Sequence, residues 1–194
     1  MKKIIIILFI VVLILACEKK QVSTNFAEVS FTVDKSLLSE EYHCTNAGIS
    51  FYPPINWDQI SLQLLNSIKE NLSVSIDTTG VVIIPLNVFM DMESSFTCFL
   101  STIESTFMAD ETINNYIAEL KMSNYDLKFN AGLFSYNGFD FHQLIFTKDE
   151  LITIKLIAAN SEQKIFMIDY ILPVRFYEKE LRSIESSIGT IKKI

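Results

Sequence analysis

Side chains able to do chemistry are sparse in this 194-residue chain, which has three cysteines and two histidines. His43 precedes Cys44, and an imidazole beside a thiol could generate a nucleophilic thiolate. Adjacent residues of an extended strand point to opposite faces, however, which keeps the two apart. His142 lies between Phe141 and Gln143 and shares a sheet face with Asp140 if the segment is a strand. A base beside a carboxylate is enough to begin proton transfer, so a hydrolase built on His142 and nearby acids is one reading. It ranks last, because a structural or exposed histidine is the ordinary outcome. Asp91 and Glu93 could face a hard cation, but calcium takes about six to eight oxygens, so a solvated loop is expected there. Neither Gly-x-Ser-x-Gly nor His-Glu-x-x-His occurs, and five glycines in all form no phosphate loop. The expectation is a protein with no catalytic residues, no metal and no cofactor.

Cys17 is the exception among the reactive residues, because of what precedes it. The chain opens Met1-Lys2-Lys3 and is apolar from Ile4 to Ala16. A positive start, a short apolar run and a small residue make an export signal. The run is too short for a membrane span, which needs about twenty residues. Ile14-Leu15-Ala16-Cys17 resembles the bacterial lipobox, which implies cleavage before Cys17 and a diacylglyceryl thioether on its sulfur. Two acyl chains hold a protein firmly, at about 0.8 kcal/mol per buried methylene. The implied partner is therefore the membrane, reached through lipid on Cys17, and the implied location is the bacterial cell envelope. Cys44 and Cys98 then remain as an even pair in an exported protein, where disulfides persist. They are either a disulfide or two separate buried thiols. The net charge of −7 and the lack of a basic cluster exclude nucleic acid as a partner.

The elements that must position these residues follow from pattern. Residues 1–16 read as the signal, 17–27 as a lipidated tether and 28–194 as a single domain. A first strand or extended arm is expected near 28–34. Tyr42–Cys44 and Ile49–Tyr52 form a hairpin that Pro53-Pro54 ends. A helix is expected over 56–72, with Asn56 as cap, Gln59 completing a capping box, and Ile60, Leu64, Leu65, Ile68 and Leu72 on its apolar side. Asp77–Gly80 breaks the chain, and Pro85 argues against a central strand after Val81. Phe96–Ile103 reads as a strand. A second helix over 110–123 starts at Asp110 and presents Ile113, Ile117 and Leu120.

From Leu127 to Leu172, four apolar runs separated by turns form an antiparallel meander. Asn137-Gly138 is the strongest turn, because both residues tolerate positive φ. It pairs Tyr136 with Phe139 and Phe134 with Phe141 on one face. Unless a helix reaches that tip, those four residues form an exposed aromatic patch and a candidate contact surface. A last helix over 175–192 carries Tyr177, Leu181, Ile184, Ile188 and Ile191. The runs at 151–158 and 165–172 are apolar on both sides, so their strands should be covered on both faces. Helices on both sides of a central antiparallel sheet, an α+β three-layer α/β/α sandwich, is the expected architecture.

Gly48-Ile49-Ser50-Phe51-Tyr52-Pro53 followed closely by Trp57 resembles the PsbP-like family of α/β/α sandwiches. So does the close of the chain, Tyr170-Ile171-Leu172-Pro173 and then Ile184-Glu185-Ser186-Ser187-Ile188. The resemblance covers most of residues 40–194, and the segment at 73–95 departs from it. It implies a non-enzymatic, lipid-anchored accessory protein that engages another envelope protein. The alternative is a carrier or sensor of a small apolar ligand, which requires a continuous cavity between sheet and helix.

Overall fold

The computed structural model describes residues 26–73 and 81–194. The signal segment, Cys17, nearly all of the tether and the break at Asp77–Gly80 lie outside the described residues. In chain order the elements are β1 (Ala27–Glu28), β2 (Tyr42–Cys44), β3 (Ile49–Phe51), β4 (Asp58–Gln59), α1 (Leu62–Ser73), β5 (Val81–Asp91), β6 (Phe96–Ser105) and α2 (Ala109–Ser123). They continue with β7 (Asn130–Tyr136), β8 (Phe139–Lys148), β9 (Leu151–Ala159), β10 (Ile165–Pro173), α3 (Tyr177–Ile188) and β11 (Lys192–Lys193). This is a mixed α/β fold with one large sheet, ordered β1-β7-β8-β9-β10-β6-β5-β4, and a small one, β11-β3-β2.

The meander is built as its turns dictate. Asn137 and Gly138 have φ of 49° and 77°, the left-handed pair that a two-residue hairpin needs. Tyr136 pairs with Phe139 and Phe134 with Phe141. β8, β9 and β10 follow in antiparallel register, and β6 closes against β10. The apolar pattern on both sides of β9 and β10 has its counterpart in packing. Phe166, Ile168, Tyr170 and Leu172 meet Ile184 and Ile188 of α3 in the main core. Ile165 and Met167 point the other way, to Ala109 and Ile113 of α2. Cross-strand partners share a face, so Val88 and Phe99, which pair with each other, lie on the α2 side, where Leu65 of α1 covers Val88.

Several elements differ from expectation, each for a physical reason. The first helix begins at Leu62, not near Asn56. Asn56 adopts φ of 67°, and Asp58-Gln59 pairs with Phe89-Met90 as an edge strand. Ser61 takes the capping role, its Oγ accepting from the Leu64 N–H at 3.3 Å. The helix consequently buries Leu65 and leaves Leu64 exposed. Pro85 sits within β5, at a bulge between Pro85 and Asn87. The outer neighbour β4 reaches only Phe89 and Met90, so Pro85 has no ladder bond to donate on that side. Asp110 stands in the first turn of α2 behind Met108, which is the residue at the cap. The last helix ends at Ile188, and the chain then turns to lay β11 on β3.

Residues 29–34 form an arm rather than a strand of the sheet beyond Glu28. β1 runs parallel to β7, and the arm then crosses to α3, where the Asp34 N–H donates to Ser186 Oγ at 3.2 Å. The crossing is tight. A Cβ on Gly189 would stand 2.6 Å from Phe31 Cβ, so glycine is what allows the approach.

Candidate functional site

The aromatic hairpin is covered, so the possible contact patch at its tip does not form and its residues pack in the core instead. Phe134, Phe139 and Phe141 are buried, and Tyr136 is half-buried. Phe31 of the arm stands edge-on to Tyr136 at 4.9 Å and to Phe134 at 5.9 Å. The Tyr136 hydroxyl donates to Gly189 O at 2.8 Å, and Asn137 Nδ2 donates to Ile191 O at 2.7 Å. The α3–β11 segment thus reaches the tip that the sequence left uncovered. On this face the buried hydroxyls are neutral and paired, while Asn87 Nδ2 has no hydrogen-bond partner among the described residues. The Tyr170 hydroxyl meets Ser187 Oγ at 2.9 Å, and Ser187 in turn donates to Tyr52 O at 2.6 Å.

The opposite face carries the ionisable residues. His142 and Asp140 do share it, as alternation requires, because His142 pairs with Ile157 of the α2-side core. They line a cleft of about 410 Å³ together with Phe26, Asp110, Asn114 and Gln163. β8 supplies His142 and Asp140, and the first turns of α2 lower Asp110 and Asn114 onto them. Burial holds His142 below its ordinary value of 6.5, and the Asp110 and Asp140 carboxylates offset part of that shift. The imidazole is therefore neutral at pH 7, with Phe26 edge-on at 5.5 Å. Asp140 accepts the Ser135 hydroxyl and acts on His142 only through space. The arrangement offers acceptors, amides and a neutral imidazole around an open space, which suits reading a polar group. No hydrogen bond among the described residues joins His142 to a nucleophile or to a carboxylate.

A second feature of this face had a sequence signal that pattern reading passed over. Lys155 interrupts the apolar run of β9 and Asp169 that of β10, and the two positions are cross-strand partners. Lys155 Nζ lies 2.7 Å from Asp169 Oδ2 and 3.0 Å from Met167 Sδ, with the Tyr116 ring centroid at 5.6 Å. Both side chains are buried. Burial alone would push the Lys155 ammonium down, but Asp169 and Tyr116 outweigh it and hold the group above its ordinary value. Asp169 Oδ1 has no hydrogen-bond partner among the described residues.

The remaining sequence candidates stay apart. Cys44 and Cys98 are free buried thiols, which corrects the possible disulfide. Cys98 pairs with Tyr170 and Phe89 deep in the large sheet, while Cys44 belongs to the small one. Burial, with a smaller push from Asp169, holds the Cys98 thiol well above its ordinary value, so it is a poor nucleophile. His43 is exposed beside Glu41, with Cys44 turned inward. Asp91 Oδ1 accepts the Glu93 and Ser94 N–H groups and so closes the β5–β6 turn. No group of three metal-ligating side chains gathers among the described residues. Between α3 and the sheet, Phe141, Phe166 and Tyr170 fill the interior.

No family model and no curated protein matches the chain. Among solved structures it is similar to cyanobacterial PsbP (CyanoP) from Synechocystis, at 14% identity and a TM-score of 0.50, covering 90% of this chain and 99% of that one. More distant likenesses are to a Pseudomonas aeruginosa protein described as a putative regulator, at 8% identity and a TM-score of 0.41, and to a Bacteroides thetaiotaomicron protein, at 12% and 0.39. The first covers 79% of this chain and 94% of that one; the second covers 80% and 48%. The fold is PsbP-like on the first of these, and the other two add nothing to it.

Proposed function

We propose that the chain is a lipid-anchored, non-catalytic accessory protein of the bacterial envelope, an α/β/α sandwich that binds another envelope protein through its α2-side cleft. The anchor rests on the apolar run from Ile4 to Ala16 and on Cys17 behind it. The cleft carries the binding reading. It is open, lined by Asp110 and Asp140, by amides, by Lys193 and by a neutral imidazole, and that imidazole has no carboxylate hydrogen-bonded to it. Such a lining fits a polar segment of a partner better than a bond-breaking step. Phe26, at the end of the tether, forms one wall of the cleft.

The test is photo-crosslinking in intact membranes from a probe at Gln163, with a second probe at Tyr125 as the control site. A single envelope protein should be captured at Gln163 and lost with Asp140→Ala or His142→Ala. Capture that is absent, or indifferent to both substitutions, would contradict the proposal, as would turnover of a substrate that His142→Ala abolishes.

A further inference from the structure

The two ends of the large sheet differ in a way that bears on how an anchored domain stands on a bilayer. Antiparallel connectivity sends the α2–β7 loop, the β8–β9 turn and the end of β10 to one end. That end exposes Met122 (73%), Tyr125 (90%), Leu151 (42%) and Val174 (44%). Contacts between their neighbours hold the three segments together at this end. Lys148 Nζ donates to Asn124 Oδ1 at 3.2 Å, Lys148 pairs with Leu151, and the Val174 N–H donates to Glu150 O at 2.9 Å. Large apolar side chains left side by side in water mark a contact surface.

We infer that this end is a second membrane contact, in which Met122, Tyr125, Leu151 and Val174 enter the interfacial layer of the bilayer that holds the Cys17 lipid. The inference rests on the anchor proposed above. Three observations favour a bilayer as the occupant. First, β1 runs parallel to β7, so its N-terminal end points toward the Met122–Tyr125 end of the sheet. Nine peptide steps separate Cys17 from Phe26, a reach of at most about 30 Å, which leaves this end within range of a bilayer that holds the lipid. Second, the local charge is balanced in a chain of net −7: Lys121, Lys128, Lys148 and Arg175 offset Glu119, Asp126, Asp149 and Glu150. Long cationic side chains around apolar ones suit the headgroup layer, where ammonium groups stay wet while stems are buried. Third, the opposite end lacks that balance. Phe107 and Met108 are exposed there, but Glu104, Asp110, Glu111, Asp140 and Glu162 outnumber Lys164 and Lys193, and an anionic surface repels the excess of carboxylates.

The experiment uses the full-length lipidated protein in vesicles of phosphatidylethanolamine and phosphatidylglycerol that contain a carbene-generating phospholipid. Labelled peptides are mapped by mass spectrometry. Peptides holding Met122–Tyr125 and Leu151 or Val174 should carry several-fold more label than the peptide holding Phe107–Met108. The combined variant Met122→Ser, Tyr125→Ser, Leu151→Ser and Val174→Ser should lose that excess while remaining with the vesicles through its lipid; all four side chains are exposed, so the fold is not at risk. Vesicle-bound protein with equal label at both ends, or more at Phe107–Met108, would overturn the orientation and leave the anchor standing. Protein that fails to stay with vesicles would overturn the anchor and the orientation together. Exclusion of label from this end with a concentration-dependent dimer in detergent would assign the surface to a second copy and also overturn the inference.

Discussion

One sheet presents two faces of opposite chemistry. On the α3 side, Phe134, Phe139, Phe141, Phe166 and Tyr170 form a dry aromatic layer whose hydroxyls are paired with serine and backbone partners. On the α2 side lie a buried ion pair and an open polar cleft with His142. The α3 face earns its order from area removed from water and pays little for its polar groups. The α2 face carries desolvated charges that cost stability unless each keeps its partner. The difference teaches where to look for function in a fold with few reactive residues: on the face whose ionisable side chains border an open cleft.

The contrast can be broken from either side. Phe141→Ala on the α3 face removes a fully buried ring and should cost about 3–5 kcal/mol in urea unfolding, leaving a cavity that the arm cannot fill. Asp169→Ala on the α2 face leaves the Lys155 ammonium buried without its carboxylate and should cost about 3–5 kcal/mol as well. The two then part company. Replacing both partners, Lys155→Met with Asp169→Leu, should recover most or all of that loss, because the pair is there to satisfy itself. No second substitution on the α3 face should rescue Phe141→Ala. A double-mutant cycle read by the unfolding midpoint decides the point, and a double variant as unstable as Asp169→Ala would contradict it.

Acid should act elsewhere. Glu41 accepts from Lys192 at 2.8 Å, Ser50 at 2.8 Å and Tyr52 at 3.0 Å, and so fastens β11 to the β2–β3 hairpin. Those hydrogen bonds, Lys192 first, hold its carboxyl at about 2 against an ordinary 4.5. A carboxyl lowered on folding stabilises the folded state above its ordinary value. That contribution should be full above pH 4.5 and fade as pH falls toward 2. Amide exchange at Ile194, whose N–H donates to Gly48 O across the β11–β3 edge, should accelerate over that window in the wild type. Glu41→Gln should flatten the dependence. The smallest effect belongs to the cleft. His142→Ala should move stability by less than about 1 kcal/mol, because the imidazole is half-buried and carries no strong hydrogen bond. A large loss there would make His142 a structural residue and remove the contrast between the faces.

Local signals account for what was legible beforehand. Asn137-Gly138 determined the central hairpin and its register, and the two-sided apolar pattern of β9 and β10 announced a sheet covered on both faces. Non-local competition explains the departures. Asn56 and Gln59 have the spacing of a capping box, but pairing of Asp58-Gln59 with Phe89-Met90 claims those residues for the sheet. The aromatic hairpin looked open because its cover comes from Phe31, about a hundred residues earlier in the chain, and from Gly189 and Ile191 after α3. Of the cleft, His142 and Asp140 were legible as neighbours on one face. Asp110 and Asn114 were not, since only the docking of α2 brings them there. Lys155 and Asp169 were visible as charges inside apolar runs, but their pairing depends on the β9–β10 register.

The proposed function depends on attachment through Cys17, and one measurement addresses that directly. Membrane fractions from cells expressing the wild type and Cys17→Ala are separated, and the intact mass of the mature chain is determined. Lipid anchoring predicts a wild-type chain that begins at Cys17, carries acyl mass on it and stays with membranes, while Cys17→Ala is released or mislocalised with its domain still folded. A wild-type chain with an unmodified Cys17 thiol, or fractionation unchanged by Cys17→Ala, would contradict it.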